Sequence, residues 1–265
     1  MSTTDFLRNT VRDKLARNEV VASLTVRLTR GIEIARIAKT AGFDTLYIDM
    51  EHNAFSMETT GQICMAAQAI GIAPFVRVPA NTPEWISRVL DAGAVGIIAP
   101  HVQSADEARA IVAAAKFPPL GQRSAAGALP QLEYRSIPAK DAFPALNAAT
   151  IVMVQFETAA ALEQADAIMA VEGVDMVMIG TNDLVADMGL TGQYDHPALR
   201  EAYETTIAAC RRHGKHAGVG GLSSRPDLVA EFVRMGARYV STGTDLAFLL
   251  EACTARARQV REIVL

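Results

Sequence analysis

Short apolar runs alternate with longer amphipathic segments along nearly the whole chain. The first amphipathic segment predicts a helix over about residues 4 to 18, and the alternation then repeats eight times. Most of the short runs are apolar throughout, which is typical of parallel strands covered by helices on both faces. The pattern predicts strands over residues 20–26, 45–49, 73–78, 96–99, 151–156, 176–179, 216–219 and 239–241.

Eight successive βα units favour a closed (β/α)8 TIM barrel, with an open doubly wound sheet as the alternative that periodicity leaves possible. A chain of 265 residues fits one such barrel, and no stretch reads as a linker, so we expect residues 1–265 to form a single domain. Residues 117–146 contain several prolines and interrupt the alternation of strand and helix patterns. A segment of this length predicts an active-site loop or a disordered segment.

Composition narrows the classes of function. Half of the residues are apolar and a fifth are charged, which is typical of a globular protein with an extensive core. The net charge of −4 and the absence of any basic block argue against nucleic acid or an anionic membrane as a partner. The three cysteines lie far apart, so neither a disulfide framework nor a zinc cluster is indicated. With no apolar leader or membrane-length apolar run, we expect a cytoplasmic protein.

Polar side chains appear abruptly where the apolar strands end. In a (β/α)8 barrel the carboxyl ends of the strands carry the functional site. The strand-end residues are Asp49, Glu51, His52, Arg77, His101, Gln155, Glu157, Asn182 and Asp183. They would therefore meet at one end of the barrel.

Glu157 and Asp183 follow neighbouring strands and are candidate metal ligands. Each could instead belong to the start of a helix, as an acidic first-turn residue or a cap. The pair, with Gln155 beside it and no cysteine nearby, favours a hard cation such as Mg²⁺ or Mn²⁺. None of the five lysines is suited to a Schiff base, because Lys215, the nearest to a strand, precedes it. A metal is then the expected electrophile.

His52 is a candidate base, and Asp49 is the carboxylate that simple geometry places beside it. Arg77 could bind a carboxylate or stabilise an oxyanion, and an ion pair with Asp49 or Glu51 is its structural alternative. The glycine-rich turns after strands seven and eight could bind phosphate or a small carboxylate through backbone N–H groups.

Five motifs in this order resemble the HpcH/HpaI aldolases, a family of metal-dependent pyruvate aldolases that includes 4-hydroxy-2-oxoheptanedioate and 2-dehydro-3-deoxyglucarate aldolases. The motifs are Ile48-Asp-Met-Glu-His52, Phe75-Val-Arg-Val-Pro79, Leu90-Asp-Ala-Gly93, Gln155-Phe-Glu157 and Ile179-Gly-Thr-Asn-Asp-Leu184. The similarity covers nearly the whole chain.

The resemblance implies a role for each site residue. By this resemblance, Glu157 and Asp183 would bind the metal, which would be Mg²⁺, Mn²⁺ or Co²⁺. The residues that would bind the substrate are Gln155, Gly180, Thr181 and Asn182. His52 would be the base, Arg77 would stabilise the transition state, and Asp91 would raise the basicity of the histidine. The predicted register puts Asp91 at a helix end, away from the barrel mouth.

Two regions depart from the family pattern. Many members carry Gly-x-Trp in the first strand, whereas this chain has Ala22-Ser23-Leu24 followed by Arg27 and Arg30. The loop from 121 to 127 also differs from the arginine- and glycine-rich form of several relatives. The aldehyde specificity of the family is therefore not carried over. We expect the first strand and the proline-rich loop to determine it.

The resemblance also implies activity and assembly. The expected reaction is reversible cleavage of a 4-hydroxy-2-oxo acid to pyruvate or hydroxypyruvate and an aldehyde through a metal-stabilised enolate. A 2-oxo acid decarboxylase acting on oxaloacetate would use the same enolate, and a noncatalytic barrel that binds a carboxylated metabolite is a third hypothesis. The resemblance implies a hexamer assembled from three dimers that exchange their C-terminal helices, and residues 246–264 could form such a helix.

Overall fold

The computed structural model describes Leu7 and residues 9–263. Its eight strands are β1 Val21–Val26, β2 Thr45–Asp49, β3 Ala73–Arg77, β4 Gly96–Ala99, β5 Ile151–Phe156, β6 Met176–Gly180, β7 His216–Gly220 and β8 Tyr239–Thr244. The helices are α1 Thr10–Ala16, α2 Glu33–Ala41, α3 Met57–Ala69, α4 Pro83–Asp91, α5 Ala105–Ala115, α6 Ala139–Ala149, α7 Ala159–Glu163, α8 Ala165–Met169, α9 Thr181–Asp187, α10 Pro197–Arg212, α11 Pro226–Met235 and α12 Asp245–Arg261.

The strands form a closed barrel in sequence order, and every neighbouring pair, including β1 with β8, is parallel. The prediction of a (β/α)8 barrel is confirmed. Strands β2, β4 and β5 have the predicted bounds, and the other five differ by one to three residues at an end. In the described residues the first helix begins at Thr10, and the predicted start at residues 4–6 lies outside them.

Alternate residues of each strand point into the barrel, and they determine where the polar groups lie. Tyr47, Phe75, Met153, Met178 and Tyr239 belong to one buried interior cluster. Because side chains alternate with a period of two, the interior positions that follow these residues towards the carboxyl end are polar or glycine. They are Asp49, Arg77, Gln155, Gly180 and Ser241. The apolar interior thus ends in a polar layer at one mouth.

A second, larger cluster fills the space between the strands and the surrounding helices, with members such as Ile48, Val76, Ile97, Val154 and Ile179. These residues alternate with the interior set, which is why the strands are buried on both faces. At the other end of the barrel, Val11 and Leu15 of α1 join the interior cluster and cover its floor.

Residues 116–150 connect α5 to β5 and lie at the amino-terminal end of the strands. They contain a 3₁₀ turn, helix α6 and an apolar cluster built on Phe117, Leu132 and Leu146. The Gln131 amide donates to the carbonyl oxygens of Leu90 and Ala94, just before β4. The prediction of an active-site loop or a disordered segment is wrong within this chain, because the segment is ordered at the end opposite the polar mouth.

Helix α12 contributes little to the core of this chain. Its apolar residues Leu246, Phe248, Leu249 and Leu250 are 38 to 64% exposed, and among its residues only Asp245 is buried. Across the part of the chain that the structure describes, no helix has the length and apolar character that crossing a membrane requires.

Candidate active site

A cavity of about 300 Å³ opens at the carboxyl end of the barrel. Its lining includes predicted site residues from β2, β3, β5 and β6 together with the glycine-rich turns after β7 and β8. Those predicted residues are Asp49, His52, Arg77, Gln155, Gly180, Thr181, Asn182 and Asp183. No lysine is among the described residues that line it, as the sequence predicted.

Arg77 is held rigidly in the wall of this cavity by two carboxylates. Its Nε and Nη2 donate to the two carboxylate oxygens of Asp49 at 2.9 and 2.8 Å, and both side chains are buried. Its Nη1 also lies 2.6 Å from Glu51 Oε2, as an ion pair outside hydrogen-bonding geometry. Adjacent strands place Asp49 and Arg77 directly opposite each other. Both ion pairs that the sequence suggested for Arg77 are therefore present.

The pKa of Asp49 reflects this arrangement. Burial is the largest single effect and raises this pKa, but the hydrogen bonds and charge of Arg77, the His52 backbone N–H and the charge of Arg27 together lower it below the usual value. Asp49 is therefore an ionised, fully paired carboxylate. It anchors Arg77 and has little capacity left to take up a proton.

His52 lies at the mouth beside Glu51, which corrects the partner expected from the sequence. Its Nε2 is 3.5 Å from Glu51 Oε2, and half of its side chain is exposed. Asp49 accepts a long backbone hydrogen bond from the His52 N–H, at 3.4 Å, and has no recorded contact with the imidazole ring. The turn after β2 brings Glu51, rather than Asp49, to the ring.

Glu157 is buried among polar groups at the end of β5. Its Oε1 accepts from Gln155 Nε2 at 2.8 Å, and its Oε2 accepts from the backbone N–H of His101 at 2.8 Å. Gly180 on β6 allows this packing, because a Cβ there would lie 2.7 to 2.8 Å from atoms of Gln155 and Glu157. A side chain at Gly180 would displace the acidic group.

Burial raises the pKa of Glu157, His101 partly offsets that effect, and the negative charges of Glu51 and Asp183 add to the rise. Asp183 is exposed in the first turn of α9 and lines the cavity. Neither metal candidate caps a helix, since Thr158 caps α7 and Gly180 precedes α9. Asp183 is nevertheless an acidic residue in the first turn of α9, so it does belong to the start of a helix, whereas Glu157 precedes the cap of α7.

The donor set fits a hard divalent cation. Asp183 lines the cavity, and Glu157 adjoins Gln155 of the lining, close enough to Asp183 for the negative charge of Asp183 to raise its pKa. The buried Gln155 Oε1 has no hydrogen-bond partner among the described residues. The described part of the chain holds no cluster of three or more His, Cys, Asp or Glu suited to a metal. Two carboxylates leave coordination positions for water and substrate oxygens, as Mg²⁺ and Mn²⁺ sites commonly do.

His101 is a site residue to which sequence reasoning gave no role. Its Nε2 and Nδ1 lie 2.8 Å from Glu51 and Glu157, so it bridges the acid near His52 and the candidate metal ligand. Its backbone adopts φ 55°, in the left-handed region, which is unfavourable for a residue with a Cβ. The available signal was its position directly after β4 and Pro100.

Asp91 lies elsewhere in this chain. It ends α4, before β4, and its Oδ1 accepts from Arg123 Nη2 at 2.6 Å. No contact with His52 is recorded among the described residues, in agreement with the helix-end position predicted from the register. The role that the resemblance implies for Asp91 is not accounted for within one copy of the chain.

The predicted substrate-binding residues after β6 differ in exposure. Thr181 is buried, with its hydroxyl 2.8 Å from the Tyr203 hydroxyl, so its side chain anchors the turn. Asn182 is exposed and accepts from the Tyr194 hydroxyl at 2.8 Å. The turn thereby presents the Asn182 amide and the Asp183 carboxylate to the cavity.

Known proteins resemble this chain in sequence and in fold. The model of the HpcH/HpaI aldolase/citrate lyase family matches residues 30–252. A 4-hydroxy-4-methyl-2-oxoglutarate aldolase of Hapsidospora irregularis is 43% identical over 216 residues, covering 81% of this chain and 80% of the relative. A 4-hydroxy-2-oxo-heptane-1,7-dioate aldolase of Salmonella arizonae is 35% identical over 257 residues, covering 95% and 94%.

Among solved structures, the HpcH/HpaI aldolase from Desulfitobacterium hafniense DCB-2 superposes with a TM-score of 0.90 at 30% identity, covering 96% of this chain and 97% of that one. The family match spans most of the barrel, and the relatives align over four fifths or more of both chains. The chain belongs to the HpcH/HpaI aldolase/citrate lyase family.

Proposed function

We propose that the protein is a divalent-metal-dependent aldolase that reversibly cleaves a 4-hydroxy-2-oxo acid into pyruvate or hydroxypyruvate and an aldehyde. One observation carries the proposal: Asp183, Arg77 and the half-exposed His52 line one cavity at the barrel mouth, and the buried Glu157 is hydrogen-bonded to Gln155 of the same lining. The relatives named above support it, because they are called aldolases of 4-hydroxy-2-oxo acids.

Glu157 and Asp183 would hold the cation, and the unpartnered Gln155 Oε1 is a further oxygen beside them. A bound Mg²⁺ or Mn²⁺ would polarise the 2-oxo group and so favour enolate formation. The raised pKa of Glu157 is consistent with this role, because a cation would relieve the repulsion among Glu157, Glu51 and Asp183.

Arg77 supplies fixed positive charge to the same half of the substrate. Its guanidinium is held by Asp49 and Glu51, so it needs no reorganisation when negative charge develops on the 2-oxo oxygen. Because it touches the reacting half, we expect Arg77→Ala to lose most turnover while retaining metal binding.

His52 would accept the proton of the 4-hydroxyl group. As that proton leaves, the C3–C4 bond breaks, its electron pair passes into the enolate, and C4 becomes the carbonyl carbon of the aldehyde. Glu51, 3.5 Å from the ring nitrogen, stabilises the positive charge that His52 gains. C3 of the enolate then takes this proton from His52 to give pyruvate or hydroxypyruvate, and synthesis runs the same proton transfers in reverse.

The test compares the unmodified protein with Glu157→Ala, using Glu163→Ala as a matched control because Glu163 is exposed on α7. Chelator-treated protein is supplied with Mg²⁺ or Mn²⁺, and metal affinity is measured by calorimetry. We expect Glu157→Ala to lose affinity by about 100-fold or more, at or beyond the roughly 10- to 100-fold cost of removing an outer-shell partner.

Activity is followed in the same samples by exchange of the pyruvate methyl protons in D₂O and by aldol formation with a panel of aldehydes. Full metal-dependent turnover by Glu157→Ala would remove the central claim. Carbon dioxide release from oxaloacetate without any aldol activity would instead identify a decarboxylase, and ligand binding without turnover would identify a noncatalytic barrel.

A further inference from the structure

The cavity has a second permanent cation, Arg27, at the end of β1, which the proposed chemistry leaves unassigned. Its Nε lies 3.3 Å from Asp49 Oδ2, its Nη2 makes a long contact of 3.4 Å with the His52 carbonyl oxygen, and 38% of its side chain is exposed. Its Nη1 has no hydrogen-bond partner among the described residues. Arg77, in contrast, is occupied by carboxylates and only 9% exposed.

The backbone that carries Arg27 is fixed by one buried carboxylate. Asp245, at the start of α12, accepts from the backbone N–H groups of Arg27, Leu28 and Thr29 at 2.7 to 3.1 Å. It also accepts from Leu246 N–H at 2.9 Å. A segment with three consecutive N–H groups on one acid is preorganised, so Arg27 is presented to the cavity from a fixed base.

The lining around Arg27 differs in charge from the lining at the metal candidates. The wall formed by β1, β7 and β8 offers hydroxyl groups, with Thr25 Oγ1 2.9 Å from Ser241 Oγ and Ser223 nearby. Asp183 lies on the other side, at the end of β6. The cavity therefore has an acidic end for a metal-bound 2-oxo acid and a basic, hydroxyl-lined end for the second fragment.

We propose that Arg27 is the residue that selects the acceptor, by binding a carboxylate carried on the acceptor carbonyl compound. This assignment rests on the proposed aldolase function. What it adds is the side chain that would hold the second carboxylate of a dicarboxylic product. A guanidinium can pair with a carboxylate through two N–H groups. Arg27 lines the cavity with 38% of its side chain exposed, whereas Arg77 already pairs with two carboxylates. A volume of about 300 Å³ restricts the acceptor to a short chain.

The bond changes balance without any further reactant. In the synthetic direction, His52 takes a methyl proton from pyruvate, which leaves the enolate. C3 of the enolate then attacks the acceptor carbonyl carbon, and the carbonyl oxygen takes that proton from His52 to become the 4-hydroxyl group. The acceptor carboxylate stays ionised on Arg27 throughout. Arg27 is therefore a specificity residue that binds substrate without exchanging a proton.

The test is an acceptor series with Arg27→Met, with Arg27→Lys as the conservative variant and Arg30→Met as the matched control. Arg30 is exposed three residues along the chain, where it lies over the Phe55 ring, and it does not line the cavity. The acceptors are glyoxylate, with the carboxylate on the carbonyl carbon, succinic semialdehyde, with two methylene groups between, and neutral propionaldehyde. The donor is pyruvate at a saturating concentration with Mg²⁺ or Mn²⁺.

We expect Arg27→Met to lower kcat/KM for the preferred charged acceptor by about 10- to 100-fold, mainly through KM, since one hydrogen bond to a charged group contributes that much. The value of kcat/KM for propionaldehyde should change by less than about 3-fold. Arg27→Lys should recover part of the loss, and Arg30→Met should match the unmodified protein. Which charged acceptor is affected identifies the position of the carboxylate.

The ratio of kcat/KM for the charged acceptor to kcat/KM for propionaldehyde does not depend on the fraction of the enzyme that is folded. An unchanged ratio in Arg27→Met, or a preference of the unmodified protein for propionaldehyde, would overturn the assignment. Exchange of pyruvate methyl protons by the unmodified protein, without acceptor, separates the two proposals. Absent exchange defeats the aldolase itself, whereas normal exchange with an unchanged ratio defeats only the role of Arg27.

Discussion

At the scale of single residues, the Asp49–Arg77 pair shows why a buried charge can be kept in an apolar barrel. Asp49 is fully buried, and the cost of removing its charge from water is offset by two hydrogen bonds to Arg77. The same pair fixes the guanidinium for chemistry. Structure and function therefore depend on the same two hydrogen bonds.

We expect Asp49→Asn to lower the free energy of unfolding by about 3 kcal/mol at neutral pH. This is the low end of the cost of breaking a buried pair, because Glu51 and the new amide oxygen remain near Arg77. Urea denaturation measures the change. Glu204→Gln is the control, since Glu204 and Arg200 form an exposed pair whose loss should cost less than about 1 kcal/mol.

The difference in the free energy of unfolding between the unmodified protein and Asp49→Asn should depend on pH in one direction. The pKa of Asp49 is lower in the folded protein than in the unfolded chain, so its contribution is present above the unfolded value of about 3.9. The contribution disappears as the pH falls through the folded value. The stability gap between the unmodified protein and Asp49→Asn should therefore narrow below about pH 4. A gap that widens in acid would contradict the assigned pairing.

At the scale of elements, the sequence predicted the strands well because most of them are apolar runs bounded by a glycine turn or a charged residue. β2 ends at Asp49 and β5 is followed by Glu157, so burial and charge mark the same boundaries. Strand ends also identified the site, because parallel strands deliver their last residues to one end of the barrel. The periodicity of the chain therefore determined both the fold and the position of the cavity.

Contacts across elements were not predictable in the same way. The alternation of side chains along β2 predicts that Asp49 and His52 lie near one mouth of the barrel. Only the geometry of the turn after β2 shows that Glu51 lies beside the imidazole ring. His101 depends on a left-handed backbone that no local pattern signals. Residues 117–146 were predicted to be an active-site loop or a disordered segment because of their prolines, whereas an apolar cluster of residues far apart in the sequence orders them at the opposite end of the barrel.

The junction of β5 and β6 provides an element-scale prediction. We expect Gly180→Ala to reduce metal affinity by about 10-fold or more, as outer-shell changes do, because the new Cβ would collide with Gln155 and Glu157. Calorimetric titration with Mn²⁺ measures the loss. The matched control is Gly127→Ala, since a Cβ at Gly127 meets nothing within 4 Å. Equal affinities in both variants would show that this close packing does not shape the metal pair.

At the scale of the whole molecule, α12 is the element that one chain leaves unexplained. Helices of a barrel usually bury an apolar face, yet Leu249 and Leu250 are 54% and 64% exposed. Asp245 joins the start of this helix to the segment that presents Arg27. A partner that covers α12 would therefore lie close to the cavity.

We propose that a second copy of the chain covers α12, in a homo-oligomer of the hexameric kind that the family resemblance implied. The predicted helix extends to residue 264, which lies outside the described residues, but the exposed apolar positions at 246, 248, 249 and 250 are within them. An apolar stripe left in water is unfavourable, at roughly 25 cal/mol per Å². Burial against a symmetry-related copy removes that cost.

Leu250→Glu should therefore shift the protein to a smaller species in light scattering coupled to size-exclusion chromatography, because a buried carboxylate in an apolar interface is strongly unfavourable. Ala110→Glu adds the same charge at an exposed position of α5 and should leave the mass unchanged. If α12 holds Asp245 in place through the assembly, dissociation should also raise KM for a carboxylated acceptor. A monomeric unmodified protein, or a Leu250→Glu variant of unchanged mass, would rule out this interface and leave the exposed helix to another partner.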